Sequence, residues 1–159
     1  MSRGFTLNGL DELVGKLENA SDGMQDSIKR AMERGMECIV NDAKQNYPYP
    51  SDSGKGEITH TVEAEGHVIR GRVFTPSNYA VYIEMGTGPV GEANHSGVSA
   101  SALAGVVYRP DGWSYADDAG QWHYTEGQPA RPFLHPAYRA NRDKLRKLVR
   151  AAMTKPMKG

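Results

Sequence analysis

The sequence predicts an α+β domain: an antiparallel sheet of about four strands, with a long N-terminal helix and a C-terminal helix packed on one face. Three observations predict it. Apolar residues recur at helical spacing near both ends of the chain, period-two alternation occupies the middle, and Gly- or Pro-rich breaks separate the pieces. The resulting order, α-α-β-β-β-β-α, groups the strands instead of alternating them with helices, which argues against a parallel sheet. A chain of 159 residues supports one core of two layers, so 1–159 is read as a single domain, and no internal repeat is visible.

The elements follow in order. Leu10, Leu13, Val14 and Leu17 lie at i, i+3, i+4 and i+7, the apolar face of a short helix. Asn8 suits its N-cap, and Asp11 favours its positive end. Residues 19–23 break the pattern. Met24, Ile28, Met32, Gly35, Ile39 and Ala43 then mark one side of a longer helix, which must stop near Tyr47 because Pro48 and Pro50 follow. Asp22, Asp26, Glu33 and Glu37 form a separate acidic stripe on it, in the plainest reading a solvated face.

Residues 51–56 are a polar loop. Runs 57–65 and 67–75 alternate as strands do, with Ile58, Val62 and Ala64 in phase and Gly66 as the turn. Periodicity leaves 79–85 open between strand and short helix. Residues 86–105, rich in Gly, Ser and Ala, predict a long loop that is flexible in the free subunit and docked in an assembly. Runs 113–115 and 121–125 form a small aromatic hairpin around the turn residues 117–120. Pro136 opens a last helix running to about Met153, with Tyr138, Leu145, Leu148, Val149 and Ala152 on its apolar side and a short basic tail at 154–159.

Charge excludes several classes. Lys plus Arg equals Asp plus Glu at 19 each, so no overall field recruits nucleic acid or anionic lipid. The distribution is uneven, with eight acids and five bases in 11–44 but eight bases and one acid in 139–158. Cys38, the only cysteine, forbids an intrachain disulfide and reads as buried filler. No apolar run would cross a bilayer and no secretory h-region opens the chain, so synthesis in the cytoplasm is expected.

Chemistry is sparse. His60, His67, His95, His123 and His135 show no metal-ligand spacing, and one cysteine cannot build a thiolate zinc site. A nucleophile elbow, a phosphate loop and HExxH are absent. GTGPVG at 86–91 lacks the lysine that would cradle phosphate, and Glu84 has no evident second carboxylate. No catalytic, cofactor or metal site is therefore expected. Trp113, Tyr115, Trp122 and Tyr124 could form a carbohydrate or single-strand platform, yet Asp111, Asp117, Asp118 and Glu126 outnumber the flanking Arg109 and Arg131. A hairpin that anchors a protein partner fits better.

Three motifs stand in fixed order: YPYPSDSGKG at 47–56, NYAVYIEMGTG at 78–88, which holds Tyr79, Glu84, Gly86 and Thr87, and GQPARPFLHPAY at 127–138. With GFTLNGLDELVGKL at 4–17, they resemble the gene-product-ten-like tail-completion family of lambdoid-type tailed phages, over nearly the whole chain. The chain departs from the family pattern at Ser53, where threonine is usual, at 55–57, where a leucine is missing, and in a longer loop after the second motif.

The resemblance implies a structural, non-enzymatic virion component at the head–tail junction of a phage or prophage. It would be made in the host cytoplasm and assemble as a ring, six copies being expected, around a DNA channel. Its partners would be further copies of itself, neighbouring neck or connector proteins, and tail-tube or tail-terminator proteins. DNA would only pass through, and no membrane is involved. Within the third motif, Pro132 and Pro136 hold the approach to the last helix extended and Phe133 is buried beneath it, while Arg131 is expected to pair with Glu84.

Arg139, Arg142, Arg146 and Arg150, spaced three, four and four apart, form one basic stripe. It is open to three readings: a solvated edge, a partner for the Asp22–Asp26–Glu33–Glu37 stripe of the same or a neighbouring subunit, or a lining that faces channel DNA. The last would grip phosphates and slow the genome. Two rival functions stand beside the structural one: a nucleic-acid-binding module using this helix, and a small virion-associated hydrolase.

Overall fold

The computed structural model describes residues 22–49, 57–66, 68–95, 98 and 105–154. The expected helix at 10–17, the loop at 51–56, His67, most of 96–104 and the tail from 155 onward lie outside the described residues.

Helix α1 (Asp22–Asn46) is the spine. Its buried row, Ile28, Ala31, Met32, Gly35, Met36, Ile39, Val40 and Ala43, is wider than the single side expected from sequence. The reason is that two neighbours cover it. Along one flank runs α4 (Leu134–Thr154), and on the other lies the ribbon of β1 (Thr59–Glu65) and β2 (Val68–Phe74). Gly35 admits the Leu145 side chain, and Gly71 in β2 admits Met36 and Met32. The helix stops as its prolines require, with buried Tyr47 set edge-on to Phe133 at 4.9 Å.

β1 and β2 form an antiparallel hairpin with register Thr59↔Phe74 to Glu65↔Val68 and Gly66 (φ 60°) in its turn. Ile69 and Val73 face the core, and Ile58 just ahead of β1 is buried. The expected alternation fails at Ala64, which is exposed near the turn end of the ribbon.

The single four-stranded sheet expected from sequence is not what forms. Among the described residues there are two separate two-stranded antiparallel ribbons, β1–β2 and β3 (Trp113–Ala116)–β4 (Trp122–Thr125). Two short helices, α2 (Ala80–Met85) and α3 (Gly88–Ala93), intervene in the chain. The second ribbon also has no buried strand residue to lay against the first. Residues 79–85 therefore resolve as helix. The expected loop at 86–105 begins with a helix instead, favoured by Pro89 in its first turn and by buried Gly88 and Gly91. The last helix starts at Leu134, two residues before Pro136, for a reason that lies in Glu84.

Candidate functional site

Glu84 sits in α2 with 1% of its surface exposed, yet it does not meet Arg131. One carboxylate oxygen accepts the amides of Phe133 (2.7 Å) and Leu134 (3.0 Å), and the other accepts that of His135 (2.8 Å). The His135 Nδ1 lies 3.4 Å from the same Glu84 Oε1. The first four amides of a helix lack intrahelical acceptors. At α4 Glu84 takes three of them, and the fourth position is Pro136, which has no N–H. The negative charge also lies at the helix's positive end. This corrects the expected Arg131–Glu84 pair: backbone donors, already desolvated and fixed, occupy the carboxylate. Exposed Arg131 instead lies over the Tyr49 ring, 5.7 Å from its centroid, while its amide donates to the Ile83 carbonyl at 2.7 Å.

A second tie joins the same two motifs. The Thr87 amide donates to Gln128 O at 2.9 Å, and the Gln128 amide returns to Thr87 O at 3.1 Å. Gly86 (φ 77°) and Gly88 (φ 61°) adopt positive φ, which favours glycine, and any side chain on Gly86 would strike residues 128–130. The knot fixes α2 and α3 against residues 126–131, with Tyr108 Oη donating to Met85 O at 2.8 Å. Burial holds the Tyr108 hydroxyl above its usual pKa, and Glu92 adds to the effect.

The knot presents apolar surface outward. Tyr79 is 73% exposed, Val107 92%, and Tyr82 51%. Between Tyr82 and Val107 a groove of about 510 Å³ is lined by Val81, Met85, Val106, Tyr108 and Trp113, with Arg109 as its cation. Sequence reading passed over Tyr82 and Val107; the available signal was that Val81 and Tyr82, adjacent on a helix, cannot both face inward. Beside the groove stands the β3–β4 ribbon, in register Trp113↔Thr125 to Ala116↔Trp122, as the aromatic hairpin expected. Trp113 is half-buried at its base, while Tyr115, Trp122 and Tyr124 are exposed. Asp117 organises its turn, accepting the amides of Ala119 and Gln121 on one oxygen and facing His123 Nε2 with the other, each at 2.9, 2.9 and 2.8 Å respectively. The hydrogen bonds from His123, then from Gln121 and Ala119, hold its carboxyl below the usual range.

The two charged stripes remain apart. On α4, Arg139, Arg142 and Arg150 are exposed, and Arg146 reaches only Asp143, at 3.6 Å. On α1, Glu33 and Glu37 share a trough of about 1030 Å³ with Arg30, Arg34, Val62 and Leu148, so that face is not of one sign. Asp26 is exposed, and the side chain of Asp22 lies outside the described part. Cys38 is half-buried, not fully, with Lys144 Nζ 3.2 Å from its sulfur. Among the described residues no three His, Cys, Asp or Glu side chains converge as metal ligands, and no helix is long and apolar enough to cross a membrane.

Residues 11–86 match the model of a protein family described as "Bacteriophage HK97-gp10, putative tail-component". No curated protein and no solved structure gives a match. The matched span holds the long helix, the first motif and the second as far as Gly86; the third motif, beyond it, supplies the amides that Glu84 caps. Over residues 11–86 the chain is thus similar to the HK97-gp10-like family of phage tail components.

Proposed function

We propose that the protein is a structural virion component that completes the tail at the head–tail junction, forming a ring around the DNA channel. Six copies would match the symmetry of the tails that such a ring caps. One observation carries the reading beyond the family model: among the described residues Tyr79, Tyr82, Val107, Trp122 and Tyr124, all at least half-exposed, leave large apolar side chains outside the core. Exposed apolar area of this kind, with aromatic anchors, fits a protein partner.

On this reading the protein acts by contact. It would meet further copies of itself, a neck or connector protein above, and a tail-tube or terminator protein below. It would be made in the cytoplasm of the host bacterium and end in the virion. The test is imaging of the purified protein, with subunit counting, together with a gene deletion. Rings, and DNA-filled heads accumulating beside unjoined tails, are expected. Joined, infectious particles without the protein would end the proposal.

A further inference from the structure

We infer that the β3–β4 hairpin of one copy seats on the arginine face of α4 of the next. The inference rests on the proposed self-assembly and names the surfaces that carry it.

The hairpin is built for a partner. An isolated two-stranded ribbon is marginal in water unless something packs on it. Among the described residues no helix and no other strand lies broadly against it, and its base is anchored through Trp113. Trp122 and Tyr124 are 74% and 68% exposed. From 113 to 125 the chain holds Asp117 and Asp118 and no lysine or arginine. The projecting element is thus aromatic and acidic.

The α4 face is its complement. From 139 to 150 there are six bases and one acid, and the only ion pair among the described residues there is Arg146–Asp143. The arginine stripe runs about 16 Å along the helix. The ribbon from Trp113 to Asp117 spans about 13 Å, and with its turn it covers most of the stripe. Guanidinium groups bind carboxylates bidentately and lie over aromatic rings, so one residue type serves both features of the hairpin.

The acids of α1 are the poorer partner, because Arg30 and Arg34 stand among them. Within one chain no hydrogen bond, ion pair or ring contact among the described residues joins hairpin to α4. Because hairpin and stripe are different patches, their contact is head-to-tail, the kind that closes rings.

The test uses two full-length variants. One carries Trp122→Ser and Tyr124→Ser; the other carries Arg139→Glu, Arg142→Glu, Arg146→Glu and Arg150→Glu, with circular dichroism confirming that it folds. Each alone should self-associate at least about tenfold more weakly than the native chain. Mixed in equal amounts, they should form a dimer and nothing larger, since each pair retains a single competent contact. Weak association is read by a disulfide trap: in a Cys38→Ser background, Asp118→Cys with Arg146→Cys should give covalent dimers and a ladder on oxidation.

No covalent dimer, or variants that assemble as the native chain does, would overturn the inference while leaving a ring built through other surfaces. Heterodimers from the mixture without closed native rings would leave the contact standing and defeat the ring. If instead the arginine variant loses binding to a DNA duplex and neither variant alters association, nucleic acid is the partner and the inference falls.

Discussion

Glu84 accepts the amide of Phe133 at 2.7 Å across 49 residues of sequence, and through that bond helix α2 holds the start of the last helix. The same carboxylate serves Leu134 and His135, so one buried charge is neutralised by three donors and a helix end. Glu84→Ala strands those amides in the core. The variant is expected to lose about 3 kcal/mol or more in urea unfolding, and Glu84→Gln, which keeps one acceptor oxygen, roughly half as much. A loss below about 1 kcal/mol for the alanine variant would mean that water replaces the cap.

Arg131, by contrast, should matter little to folding. Exposed over Tyr49, it contributes a cation–π contact of about 0.5–1 kcal/mol, and Arg131→Ala should cost no more. In a double-mutant cycle with Glu84→Ala the two losses should add to within about 0.5 kcal/mol. Coupling well above that would reveal a pairing in solution.

The hairpin turn should be acid-sensitive. The Asp117 carboxyl is held below its ordinary 3.8, first by His123, so its contribution is fully present above that value and is lost as pH falls through the lower folded value. The only two tryptophans, Trp113 and Trp122, both lie in this ribbon, so tryptophan emission reports on it alone. Emission should shift on acidification below the ordinary value, before helical circular dichroism changes, and Asp117→Asn should abolish that early step. Simultaneous loss of both signals would show that the ribbon is not an independent unit.

Packing of α1 on α4 turns on one small residue. Any side chain at Gly35 meets Leu145. Gly35→Val should cost about 1–3 kcal/mol by overpacking, with partial recovery when Leu145→Ala is added. Thermal unfolding measures both, and a double variant worse than the sum would disprove the size argument.

Local rules carried the sequence reading a fair distance. The stop of α1 before Pro48, the turn at Gly66 and the hairpin around Asp117 each depend on residues adjacent in the chain. What was not legible depends on distant partners. Ala31, Met36 and Val40 are buried because α1 has two neighbours, and one strip of periodicity cannot show the second. Two ribbons look like one sheet to any test based on alternation, because alternation gives strand faces but not strand order. For Glu84 and Arg131, opposite charges suggested a pair where the real partners of Glu84 are amides, which every residue but proline possesses.

That the two ribbons share no edge has a consequence for how such a chain could diversify. Substitutions in β1–β2 press on α1 and are answerable to folding, whereas those at Trp122 or Tyr124 touch little that the core depends on. Recognition can therefore drift, residue by residue, while stability stays put. A lineage exchanging one docking partner for another could rewrite the exposed positions of this ribbon, such as Tyr115, Trp122 and Tyr124, and leave the Trp113 anchor and the remaining architecture as it found them.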